Sequence, residues 1–155
     1  MNNFTHILYP TDFSEASQAA GDRAMQLAGQ CGAKLTVLHV YASPSAVPDA
    51  WNLPDPRPQL EDALSKVATT DATLVVDRVL RIGTPAEGVV EYARGHDCDL
   101  IVMGTHGRTG LQHILMGSVA EKVIRTAPCP VMVVRLPAST KKVAKERESK
   151  HVVVV

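Results

Sequence analysis

Cysteine, aromatic rings, net charge and long apolar runs are all scarce in this chain, and each scarcity excludes something. Three cysteines (Cys31, Cys98, Cys129) stand in 155 residues, an odd number with no C-x-x-C spacing. A disulfide framework or a structural zinc site needs more thiols at closer spacing, so a reducing compartment, the cytoplasm, is expected. Sixteen basic residues balance sixteen acidic ones. That balance excludes bulk attraction to DNA, RNA or an acidic membrane as the main activity. No apolar run approaches the ~18 residues that span a bilayer, and Met1-Asn2-Asn3-Phe4 lacks the basic start of a signal peptide. Aromatics make up only 4%, but 45% hydrophobic and 21% charged residues describe a globular chain rather than a disordered one.

What is present alternates. His6-Ile7-Leu8-Tyr9 reads as a strand closed by Pro10. Cap residues at Asp12 to Ser14 then open a helix with Ala16, Ala20, Ala24, Leu27, Ala28 and Cys31 on one face, and Gly32 ends it. Leu35 to Val40 is a second strand. Five of the ten prolines fall between Pro44 and Pro58, which predicts an irregular surface segment able to act as a lid. A short helix over Leu60 to Ala68 and a third strand over Leu74 to Leu80 follow. Thr84-Pro85-Ala86-Glu87 is a helix start, with its stop at Gly95. Leu100 to Met103 is a fourth strand. Ser118-Val119-Ala120-Glu121 has the form of a capping box and predicts Ser118 as the cap of a helix to Thr126; Val131 to Val134 is a fifth strand.

Strands taking turns with helices predict an α/β fold, a doubly wound five-stranded parallel sheet with helices on both faces. Asp77, Arg78 and Arg81 suit the third strand to a sheet edge. Neither an internal repeat nor a second domain is visible. Residues 1–137 are expected to form one domain and 138–155 a basic tail, whose local excess of three positive charges fits a solvated terminus or an interaction arm.

In such folds a ligand lies beyond the carboxyl ends of the strands. Three segments should converge there: Pro10-Thr11-Asp12, Val40 with its neighbours, and the loop after Met103. That loop holds four of the ten glycines, Gly104, Gly107, Gly110 and Gly117, in fourteen residues. Glycine lets backbone N–H groups approach a ligand, the helix start at Ser118 favours an anion, and Arg108 is a fork suited to phosphate. A long loop that merely needs glycine for its turns is the competing reading. Neither a Rossmann nor a Walker A fingerprint is present. His106 and His113 lack a third ligand at metal-like spacing, and His39, inside a strand, reads as a satisfied polar group. Cys98 lies between Asp97 and Asp99, whose charges should raise its pKa.

Gly104-Thr105-His106-Gly107, nine residues, then Gly117-Ser118 reproduces G-x-x-G-x9-G-[ST], and with it the chain resembles the ATP-binding members of the universal stress protein family. The opening Ile7 to Ser14, the strand Leu100 to Gly104 and the closing Pro128 to Val134 carry the same resemblance. It implies a flavodoxin-like sheet of order 3-2-1-4-5, a cytoplasmic homodimer and a stress-linked role. It further implies that Pro10, Thr11 and Asp12 line the adenosine side, that Val40 meets adenine through its main chain, and that Gly104, Gly107, Arg108, Gly117, Ser118 and Val119 hold the phosphates of ATP, with or without Mg²⁺. Asp12 as a plain helix cap stays open. So do a slow ATP hydrolase and a non-binding interaction module as alternatives to nucleotide-dependent regulation. The Val131–Val134 strand, apolar on both faces, is the expected dimer edge.

Overall fold

The computed structural model describes residues 4–43, 53–67, 69, 71–106 and 116–136. Among them five strands and four helices alternate: β1 (His6–Pro10), α1 (Glu15–Cys31), β2 (Lys34–Tyr41), α2 (Arg57–Ser65), β3 (Val76–Ile82), α3 (Pro85–Gly95), β4 (Leu100–Gly104), α4 (Ser118–Thr126) and β5 (Val131–Val134). All strand pairs are parallel, and the order is β3-β2-β1-β4-β5, as expected.

The strands alternate sides with period two, and the two faces make two cores. Ile7, Tyr9, Leu35, Val37, Leu100 and Val102 pack with the alanine face of α1 and with Leu64 of α2. Leu8, Leu38, Val40, Ile101 and Met103 pack with α3 and α4. The central strands are buried on both faces and so read as unbroken apolar runs. β3 is half exposed: Asp77 pairs with Lys34 at 2.6 Å, Arg81 pairs with Glu91 at 2.5 Å, and Arg78 donates to Val67 O at 2.8 Å.

Four local expectations are corrected. β3 begins two residues late, because Asp71 accepts from the N–H and hydroxyl of Thr73 and holds 71–74 in a turn. α2 begins three residues early, with Pro58 inside its first turn, where a missing N–H costs nothing. Gly95 belongs to α3, and the left-handed residue after it is Asp97, at φ 50°. Ser118 does not cap α4: Gly117 occupies the cap position, with no side-chain cap bond, and Ser118 is the first helical residue. α1 follows expectation, with Ser14 accepting from Ser17 N–H at its start and Gly32 at φ 66° after its end. Residues 44–52 of the proline-rich segment and the tail lie outside the described residues.

Candidate functional site

At the carboxyl ends of β1, β2 and β4 a cleft of about 330 Å³ opens between α1 on one side and α3 and α4 on the other. Eight of the ten residues expected from the sequence line it: Pro10, Thr11, Asp12, Val40, Gly104, Gly117, Ser118 and Val119. Gly107, Arg108 and His113 lie outside the described residues.

Each wall has a local cause. On β2 the odd-numbered residues bond to β3, as Leu35 N–H donates to Val75 O and Tyr41 O accepts from Gly83 N–H. The even-numbered ones bond to β1, as Lys34 N–H donates to Thr5 O and Leu38 O accepts from Thr11 N–H. Val40 is the next even residue, and β1 has already ended at Pro10. Its N–H and C=O therefore point into the space beyond β1, at the cleft. Its side chain packs the other way, tight against Gly88 of α3, where an added Cβ would stand 2.7 Å from Val40 Cγ1.

The middle of the cleft is the β1–α1 turn. Thr11 is buried, and its polar atoms are used internally: its hydroxyl accepts from Ser17 Oγ–H at 2.8 Å and Phe13 N–H at 3.0 Å, and its carbonyl accepts from His39 Nδ1–H at 2.7 Å. His39 is thus the satisfied polar group expected, and it is buried. Asp12 accepts from the N–H and hydroxyl of Ser14, so it braces the α1 start as well as lining the cleft.

The far end is the start of α4. The first amide to bond inside that helix is Glu121 N–H, to Gly117 O at 3.0 Å. The N–H groups of Ser118, Val119 and Ala120 have no acceptor within the helix, and all three residues line the cleft. Here the dipole and the amides favour an anion together. The two ends of the glycine-rich loop are tied at its neck: Thr105 N–H donates to Val134 O at 3.1 Å and Gly117 N–H to Thr105 O at 2.7 Å. His106 also lines the cleft, with Nδ1 2.9 Å from Thr105 Oγ1.

Gly104 has a packing role that the loop motif hid. A Cβ there would lie 2.9 Å from the backbone carbonyl carbon and oxygen of Ala16. Only glycine lets β4 end directly against the first turn of α1. Sequence reading also missed Ser17, Leu38, Pro85, Val89 and Thr105 in the lining. Two of them carried a signal: Leu38 shares a sheet face with Val40, and Val89 follows Pro85 by one helical turn.

The family model described as the universal stress protein family matches residues 3–135. The chain belongs to the universal stress protein family. Universal stress protein MJ0531 of Methanocaldococcus jannaschii is 37% identical over 144 residues, covering 88% of this chain and 85% of that protein. A universal stress protein of Thermus aquaticus is 34% identical, covering 85% and 99%. The solved structure of protein MJ0577 of M. jannaschii is similar at TM-score 0.75 and 32% identity, over 88% of this chain and 99% of that one. A universal stress protein solved in complex with cAMP is similar at TM-score 0.66 and 26% identity, over 86% and 98%. The cleft of this family member therefore sits on a fold in which a relative holds an adenine nucleotide.

Proposed function

We propose that this universal stress protein binds ATP in the cleft and works in the cytoplasm as a homodimer whose nucleotide occupancy is read by other proteins. One observation carries the reading: the cleft has a main-chain donor and acceptor at Val40 on one side and the N–H groups of α4 on the other. Adenine presents the matching pair, an accepting ring nitrogen beside a donating amino group. Apolar residues beside Val40 (Leu38, Val89 and Pro85) suit the faces of a purine, and the α4 start suits phosphate oxygens. The relative solved with cAMP supports a nucleotide of the adenine class.

Pro10, Thr11 and Asp12 form the adenosine side in this reading. Gly104, Gly117, Ser118 and Val119 join Gly107 and Arg108 of the loop motif around the phosphates. Among the described lining residues Asp12 is the acidic one, and it stands on the adenosine side. Residues 1–137 are the nucleotide-binding domain and 138–155 a basic tail. Mass spectrometry of ligand released from freshly purified protein tests the nucleotide. ATP or a close adenine relative is expected, with calorimetry giving micromolar affinity, about −8 kcal/mol. Gly107→Val should weaken ATP by at least ~2 kcal/mol, since a branched side chain blocks amide contacts to phosphate. Equal affinity in both proteins would remove the loop from the site.

The dimer rests on the sheet edge. Val131, Met132, Val133 and Val134 are all only half-buried, and among the described residues the strand order leaves their outer side without a neighbouring strand. A second copy pairing strand to strand would cover it. Val133→Lys should convert the dimer to a monomer by light scattering and leave ATP binding largely intact. A wild-type monomer at tens of micromolar overturns the interface.

A further inference from the structure

Phe13 has a left-handed backbone, φ 64°, in the turn directly after Asp12. A bulky residue adopts that conformation only where its surroundings enforce it. Three contacts enforce it here. Phe13 N–H donates to Thr11 Oγ1 at 3.0 Å, its carbonyl accepts from Gln18 Nε2–H at 3.3 Å, and its ring lies 4.6 Å from the buried His39 ring. His39 in turn donates to the Thr11 carbonyl, so both ends of the Thr11–Phe13 turn are tied to one β2 residue. Phe13 itself does not line the cleft; Asp12 does.

The strand order says what Asp12 would meet. β1 lies between β2, which carries Val40, and β4, which leads to Gly104 and the loop. A nucleotide lying base to β2 and phosphates to α4 must place its sugar over the end of β1. A carboxylate there accepts hydrogen bonds, and sugar hydroxyls donate them. We infer that Phe13 is a positioning residue: its anchored left-handed turn holds the Asp12 carboxylate against the sugar hydroxyls of the bound nucleotide. This rests on the nucleotide reading above.

The test compares ATP with 2′,3′-dideoxy-ATP by calorimetry on the full chain. Wild type should bind ATP about tenfold more tightly than the dideoxy compound, a ratio equivalent to about 1.4 kcal/mol. Phe13→Ala should erase most of that ratio by weakening ATP while leaving the dideoxy affinity within about twofold, as expected when one hydrogen-bonding group is misplaced. Phe13→Tyr, which keeps the ring, should recover it. Phe13→Leu keeps apolar bulk without a ring and serves if the alanine variant melts below the measuring temperature; it too should lose the ratio. Equal losses for both compounds would mean a merely structural Phe13 and overturn the inference, as would a variant that keeps the wild-type ratio. A wild type that binds both compounds equally refutes the sugar contact but leaves nucleotide binding standing. A wild type that binds neither refutes the nucleotide reading and this inference together.

Discussion

The two ends of the sheet are built from similar residues put to different use. At the amino end Asp99 accepts from Thr5 N–H and hydroxyl, each at 2.8 Å, and from His6 N–H at 3.3 Å. His6 Nδ1–H donates to His96 O at 3.0 Å, which leaves Nε2 to accept from the fully buried Thr36 hydroxyl at 2.8 Å. Cys98 packs against that ring, with Sγ 3.7 Å from Nδ1. These groups face one another. At the carboxyl end Asp12 stands at a cleft, the amides of α4 point outward, and Phe13 holds a strained backbone. Parallel strands that alternate with helices set this division: the helices that follow the strands begin at the carboxyl end, so their donor-rich starts gather there. The amino end receives helix ends and closes on itself.

The contrast can be tested from its strongest exception downward. Gly104→Ala lies at the cleft end yet should act like a core lesion, because its Cβ meets Ala16 backbone that cannot rotate away. A loss of about 2–3 kcal/mol is expected, an overpacking cost that lowers Tm by roughly 5–10 °C in a domain of this size. An unchanged melt would show that α1 yields freely there. Asp99→Ala should lower stability by about 1–2 kcal/mol, because it strips acceptors from the start of β1, and should leave ATP affinity as it was. A change in affinity would mean that the two ends are not separate.

Ser118→Ala should do the reverse. With Gly117 in the cap position, Ser118 contributes no cap bond, so stability should stay within about 0.5 kcal/mol of wild type. ATP should weaken more than adenosine, which has no phosphate to meet α4. Equal weakening of the two would place Ser118 away from the phosphates. The smallest effect concerns Cys98. Burial chiefly, with Cys129, Asp99 and Asp97 adding to it, pushes its thiol up to about 12. Iodoacetamide at pH 8 should modify Cys98 more slowly than the partly exposed Cys31, with the difference lost in denaturant. Since the thiol ionises near 8.5 when unfolded, stability should fall as pH rises from there toward 12. Early labelling of Cys98 in the native protein would mean that the amino end opens readily.

Much of this was legible in the chain. The alternation of apolar runs with capped helices determined the α/β class. The charges Asp77, Arg78 and Arg81 marked the edge strand, and the order 3-2-1-4-5 came with the family resemblance. The spacing of Gly104, Gly107 and Gly117 marked the loop. These are local signals, written in periods of two and 3.6 residues and in residues that only special backbone conformations require. The tertiary structure decided the rest. That Gly104 serves helix packing depends on Ala16, eighty-eight positions away, and no spacing rule reaches that far. That burial rather than its acidic neighbours chiefly raises the Cys98 thiol depends on the fold packing it against the His6 ring of β1. That Phe13 is held left-handed depends on His39, brought beside it by strand pairing. A sequence records what each residue prefers alone, whereas a site arises from contacts between segments that meet only when the sheet forms.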